Sequence, residues 1–168
     1  FYTSASIELN KNYLFNYSLL GFQTYLSNAE MLKTIQDLHF DMKRLGQIRQ
    51  NIQATEPLFR NSDFISFDLS SVRSSDSSSN QNPGPNGLYA EEACQLLRYA
   101  GSSNKLSSEG IFGWQSYSKE NTTSAQLVAQ IIWHFTDGVL NRIGDGKIGD
   151  GSDYTVYKLS SEDISEQL

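Results

Sequence analysis

Chemistry in this sequence centres on Asp63-Phe64-Ile65-Ser66-Phe67-Asp68-Leu69-Ser70-Ser71-Val72-Arg73, where one carboxylate, Asp68, interrupts an apolar run near its end. Phe64, Ile65, Phe67 and Leu69 read as a central strand of a parallel sheet covered by helices on both faces. In open α/β sheets, ligands bind beyond the carboxyl ends of the strands. An acid at that point is either a ligand-site residue or a cap for the loop that leaves the strand, and residue type alone leaves both readings open. His39 and His134 are the only histidines, and each sits near an apolar helix face, where a packed or partly exposed ring is the ordinary outcome. No Cys/His cluster has metal-ligand spacing, and neither a phosphate-binding G-x-x-x-x-G-K-[ST] nor a G-x-S-x-G elbow is present. Gly144 to Asp153 has the look of a calcium loop. A register from Asp145 places Lys147 and Gly149 where oxygen ligands are needed, and no Glu closes it, so a turn is expected there. Asn121-Thr122-Thr123 is a glycosylation triplet without other signs of a secretory context.

The elements that must position these residues follow from periodicity. Tyr13 to Leu20, closed by Gly21, is rich in aromatics and predicts a strand. Ser27 and Glu30 have capping-box spacing, and Met31, Leu32, Ile35 and Leu38 then give one face of a helix. A second helical stretch is expected from about Met42, with Leu45, Ile48 and Ile52 on one face, weakened by Gly46 and limited by Pro57. After the strand at 63–69, residues 70–87 form a long Ser/Pro/Gly-rich loop, mobile or facing a ligand. Tyr89 to Ala100 predicts a helix with Gly101 placed to cap its end, and Cys94 beside the apolar face reads as an inert buried thiol. Glu109 to Trp114 predicts a short strand. Thr123 or Ser124 then caps a helix whose stripe is Val128, Ile131, Ile132, Phe135 and Val139. Tyr154 to Leu159 alternates as a last strand. The order β-α-α-β-α-β-α-β is that of a layered α/β fold.

Composition sets the outer bounds. The chain of 168 residues is long enough for one domain with a sizeable core. A net charge of −6 argues against a nucleic-acid surface. No apolar run has the length of a membrane span, and no signal-peptide pattern opens the chain. Cys94 is the only cysteine, which excludes an internal disulfide and fits a reducing compartment, so cytoplasmic residence is the expectation. The chain opens at Phe1 rather than Met, and sequence upstream of it is expected.

Ser66-Phe67-Asp68 resembles the S-x-D-x-D-x-x-D-P signature of the arginase, agmatinase and formimidoylglutamase superfamily of ureohydrolases. Leu14 to Ser18 running into Gly21 to Tyr25, Arg44-Leu45-Gly46, Glu56 to Arg60, Pro85 to Cys94 and Arg98 to Gly101 look like its formimidoylglutamase-like branch, in the right order. The resemblance implies a three-layer α/β sandwich with a mostly parallel sheet, of which residues 1–168 would be a single partial domain, the carboxyl-terminal half. In that family two manganese ions activate a bridging hydroxide for hydrolysis of a guanidino or formimino group. Most of the ligands come from G-G-D-H and D-A-H-x-D motifs of the other half, and neither motif occurs here. Of the two signature aspartates, Asp68 matches the first metal ligand and Ser70 stands where the second belongs, while Arg73-Ser74 replace the D-P. The family's substrate-anchoring glutamate aligns with Gly113.

These departures imply that manganese is absent or incompletely held and that the domain is a pseudoenzyme used for assembly or binding, with no catalytic residue of its own. The alternative is a manganese-dependent hydrolase of formimidoylglutamate or a guanidino acid. Its missing ligands would come from the absent half, with Asp76, or Asp68 alone, compensating for Ser70 and the 70–87 loop covering the pocket. A third reading is an interaction module that docks partners through the serine-rich loop. The expected partners are the remainder of its own polypeptide or a close protein partner, and the family's trimers and hexamers make a homo-oligomer compatible.

Overall fold

In the computed structural model, residues 15–79, 82–115 and 121–144 are described. Strand β1 (Ser18–Phe22) leads through a short 3-10 turn into helix α1 (Ala29–Asp37), and β2 (Asp41–Arg44) runs directly into α2 (Leu45–Gln50). A second 3-10 turn precedes α3 (Glu56–Arg60) and β3 (Phe64–Asp68). The long connection ends at α4 (Ala90–Ser102), followed by β4 (Ser108–Phe112) and the long α5 (Asn121–Leu140). The strands form two parallel pairs, β1 with β2 and β3 with β4. Each pair is joined by a helical crossover, which makes this a mixed α/β fold with parallel sheet, as the sequence pattern implies. The expected strand at 154–159 and nearly all of the Gly144–Asp153 loop lie outside the described residues.

Several boundaries differ from the expectations above, for local reasons. Asn28 rather than Ser27 caps α1, its side-chain oxygen accepting from the Glu30 and Met31 N–H groups at 2.8 and 3.2 Å. The stretch at 41–44 is a strand, not the start of a helix, because pairing with β1 supplies backbone partners that the weak helical pattern there does not. Pro57 does not end a helix but sits in the first turn of α3, where its missing N–H costs nothing. Gly101 is not a terminal cap. It lies inside α4 at the crossing with α5, where an added Cβ would overlap the Phe135 carbonyl oxygen. Gly138 meets the Arg98 carbonyl in the same way, so the two helix backbones touch. Arg98 pairs with Asp137 across this contact at 2.8 Å, and Arg142 donates to the carbonyls of Gly101 and Leu106.

One core joins these elements. Ile48 of α2, Phe59 of α3, Phe67 of β3, Leu96 and Leu97 of α4 and Ile131 of α5 are all buried in it, together with Cys94. Each fully buried aliphatic side chain of this kind contributes about 1.5–3 kcal/mol. Strand β3 alternates in burial, with Phe67 inside and Phe64, Ser66 and Asp68 exposed. Among the described residues the sheet is therefore covered on one face, not on both.

The described residues of the serine-rich connection are held by contacts rather than left as a bare linker. Val72 is buried and pairs with Leu88, and Arg73 pairs with Gly84. Ser77 and Ser79 are buried, and Ser124 of α5 receives the Ser77 hydroxyl at 3.2 Å and the Ser79 N–H at 3.0 Å. Ser124 is thus an interior staple, not a helix cap. At the other end, both guanidinium groups of Arg49 and Arg73 lie over the Tyr89 ring, at 4.2 and 4.1 Å.

Candidate functional site

The carboxyl ends of β3 and β4 are the place where the sequence puts its candidate chemistry, and parallel pairing brings the named positions together. Asp68 is opposite Phe112 in the β3–β4 register, so Gly113 follows directly beside it. An ideal Cβ on Gly113 would lie 2.7 Å from Asp68 Oδ1. Gly113 also has φ +80°, in the left-handed region that glycine alone enters freely. The Asp68 carboxylate therefore leans into the space a side chain at 113 would need.

Asp68 is occupied as a cap. Its Oδ1 accepts the Ser70 N–H at 2.8 Å, and the Ser71 hydroxyl donates to its carbonyl at 2.7 Å, closing a 3-10 turn over Leu69–Ser71. Asp68 thus makes the capping contact that the sequence offered as one of its two readings. Ser70 adds only a hydroxyl beside it. Asp76 does not join this site. Its Oδ1 accepts from Arg73 Nε at 2.8 Å and from the Ser75 hydroxyl, and its Oδ2 accepts the Ala90 N–H at the start of α4 at 3.0 Å. Burial alone would raise the Asp76 pKa, but the hydrogen bonds from Arg73, Ala90 and Ser75 outweigh it and hold the carboxyl below its usual range. The same hydrogen bond keeps Arg73 above its usual value.

No group of three or more His, Cys, Asp or Glu side chains among the described residues is placed to hold a metal ion. His39 closes α1 with φ +57°, on a different strand pair from Asp68. His134 lies half-buried on α5, its ring edge-on to Trp133 at 5.0 Å and its Nδ1 buried without a partner. The donors that these residues bring to the strand ends, one capping carboxylate and adjacent hydroxyls, do not by themselves fit a two-cation centre. Such a centre needs several carboxylate or imidazole ligands.

One group of chemical interest carried no signal in the apolar pattern. Glu109 is the partner of Ile65 in the sheet register, and alternation puts it on the same face as Ile111, toward the core. Its Oε1 is buried with no hydrogen-bond partner, and burial pushes its pKa up to about 7. A carboxyl at an inward strand position was the available clue. Burial, with a smaller contribution from Glu91, likewise raises the Cys94 thiol, which matches the inert role expected of it.

No protein-family model matches the chain, and no curated protein does either. Solved structures do match. Trypanosoma cruzi formiminoglutamase with manganese superposes with a TM-score of 0.70 at 23% identity, over 75% of this chain and 45% of that one. Bacillus subtilis formimidoylglutamase gives 0.67 at 17% identity, over 74% and 41%. Entamoeba histolytica arginase in complex with L-ornithine gives 0.61 at 20%, over 71% and 42%. The chain spans less than half the length of each of these structures. At such identities the likeness speaks for architecture: the chain carries the α/β fold shared by arginase and formimidoylglutamase, over part of its extent.

Proposed function

We propose that this chain is a ureohydrolase-fold domain in which the strand-end carboxylate has been withdrawn from dinuclear metal chemistry, and that it serves assembly or binding. The observation that supports this reading is the interlock of Asp68 with Ser70 and Gly113. One carboxylate oxygen, Oδ1, is engaged by a backbone N–H, and the position aligned with a substrate-anchoring glutamate has no side chain. The role requires a partner, either the remainder of its own polypeptide or another protein, and cytoplasmic residence belongs to the same reading. Calorimetric titration of the full-length protein with manganese tests it. No stoichiometric heat is expected, and uptake of two ions per chain overturns the proposal.

A second reading is manganese-dependent hydrolysis of formimidoylglutamate or a guanidino acid, with the remaining ligands supplied from outside this chain. It is favoured by the manganese named for the trypanosomal formiminoglutamase structures. Asp68 Oδ2 also accepts no hydrogen bond among the described residues. Incubation of the full-length protein with manganese and a panel of such substrates separates the two. Release of ammonia, formamide or urea supports hydrolysis, and its absence across the panel supports the first reading.

A further inference from the structure

The β1–β2 pair carries a groove of its own, independent of Asp68 and of the function proposed above. It has a volume of about 640 Å³ and runs between the end of α1 and strand β2. It is a shallow depression largely open to solvent. Its walls are chemically one-sided. Among the described residues, Arg44 and His39 are its ionisable groups, Gln36 and Gln47 are amides, Phe22, Phe40 and Met42 are half-buried apolar surface, and no acid lines it. In a chain with net charge −6, an acid-free groove holding an arginine favours anions.

Arg44 has the marks of a ligand-binding group rather than a structural one. Among the six arginines of the described residues, Arg49, Arg60, Arg73 and Arg98 each pair with a carboxylate, and Arg142 donates to two carbonyls. The Arg44 guanidinium has no such partner there. The Arg44 backbone is fixed instead, its N–H donating to Gln47 Oε1 at 2.9 Å, which leaves the Gln47 amide NH2 to the groove.

The backbone around the groove is also locally shaped. The β1–β2 register slips between Leu20 and Phe22, with Gly21 at φ +75° in the bulge. Bulges re-aim the side chains beside them, and here the side chain is Phe22, opposite Arg44. His39 is the one non-glycine residue with positive φ among the described residues, at +57°. His39, which lines the groove, thus stands in the left-handed region at its rim.

We infer that the groove between α1 and β2 binds a small carboxylic acid with an aromatic or branched apolar body. The carboxylate lies on the Arg44 fork, and the body lies against Phe22, Phe40 and Met42. The chain has two methionines, Met31 and Met42, so methyl-labelled protein gives one reporter in the groove and one outside its lining. Titration of the full chain with 3-phenylpropionate is expected to move the Met42 signal saturably and leave Met31 in place. The neutral 3-phenylpropionamide, and Arg44→Gln titrated with the acid, are each expected to weaken binding by about tenfold or more. Arg44→Lys is expected to fall between, since it keeps the charge and loses the fork. A Met42 signal that does not saturate, equal binding of acid and amide, or an Arg44→Gln affinity equal to that of the unaltered chain overturns the inference.

Discussion

The residue that decides how this molecule is read is Gly113, because it sets what Asp68 can do. Gly113→Glu would restore the side-chain type that the ureohydrolase resemblance expects, yet it places a Cβ 2.7 Å from Asp68 Oδ1 on a backbone at φ +80°. The left-handed conformation alone costs about 1–2 kcal/mol, and two carboxylates then crowd one strand end. We expect urea unfolding to show a loss of about 2–3 kcal/mol for Gly113→Glu; unchanged stability would mean that Asp68 swings away freely. The cap itself can be weighed with Asp68→Ala, expected to cost about 1 kcal/mol, against Asp68→Asn, expected to cost a few tenths. Glu109 provides a pH test. Its folded value of about 7 stands above the ordinary 4.5, so the neutral form favours the fold. That contribution is full below about pH 4.5 and is lost as pH rises through about 7. Solvent still reaches part of this carboxyl, so the change is discounted to about 1 kcal/mol, or about 3 °C in Tm for a domain of this size. The Tm of Glu109→Gln minus that of the unaltered chain is expected to grow by that amount between pH 5 and pH 8. A constant difference would remove the titration from Glu109. Asp68 was legible in the sequence as ligand or cap because the two roles share a position. Glu109 was not, because its burial depends on Ile65 and Ile111 across a strand pairing that no local pattern reports.

At the scale of elements, what the sequence showed well was whatever has a long period. Apart from Leu38 and Ile132, which are exposed, the faces of α1, α4 and α5 and the apolar run of β3 lie where periodicity puts them, because each repeats over several turns or residues. Strand β2 was missed because Asp41-Met42-Lys43-Arg44 has no strand signature of its own and is held by β1. Gly101 and Ser124 were misassigned as caps for one reason: glycine and serine near a helix end look alike whether they serve the end or a neighbour. Both in fact serve the α4–α5 and loop–α5 contacts. The loop contact can be tested through Ser124→Ala, which removes the hydroxyl that meets the buried Ser79 N–H and the Ser77 hydroxyl. A cost of about 1–3 kcal/mol is expected, together with faster proteolysis within residues 72–87. Protection of that segment unchanged from the parent chain would show that Arg73, Asp76 and Tyr89 hold it without the staple.

At the scale of the whole molecule, the surface does not look finished. Phe64 and Phe112 stand on the open face of β3–β4, with 54% and 46% of their surface exposed, and they crowd over Gly110 between them. On α5, Ile132 is 50% and Trp133 62% exposed, and Leu140 at its end and Ile143 just beyond it are more so. A lone apolar side chain at a surface is ordinary, but several on one sheet face and one helix mark a surface that something covers. Among the described residues the parallel pairs also leave strand edges unpaired, and such edges template further pairing. The matched solved structures are more than twice as long as the segment they share with this chain, so the fold has other parts that could supply the cover. We therefore expect the 168-residue chain alone to self-associate at micromolar concentration in sedimentation velocity. Paired replacement of Phe112 and Trp133 by Lys or Glu should shift it toward monomer, since both positions are exposed and lose little packing. A sharp monomer peak for the unaltered chain, with one cooperative unfolding transition, would show that these residues close their own surface and that no partner is needed to cover it.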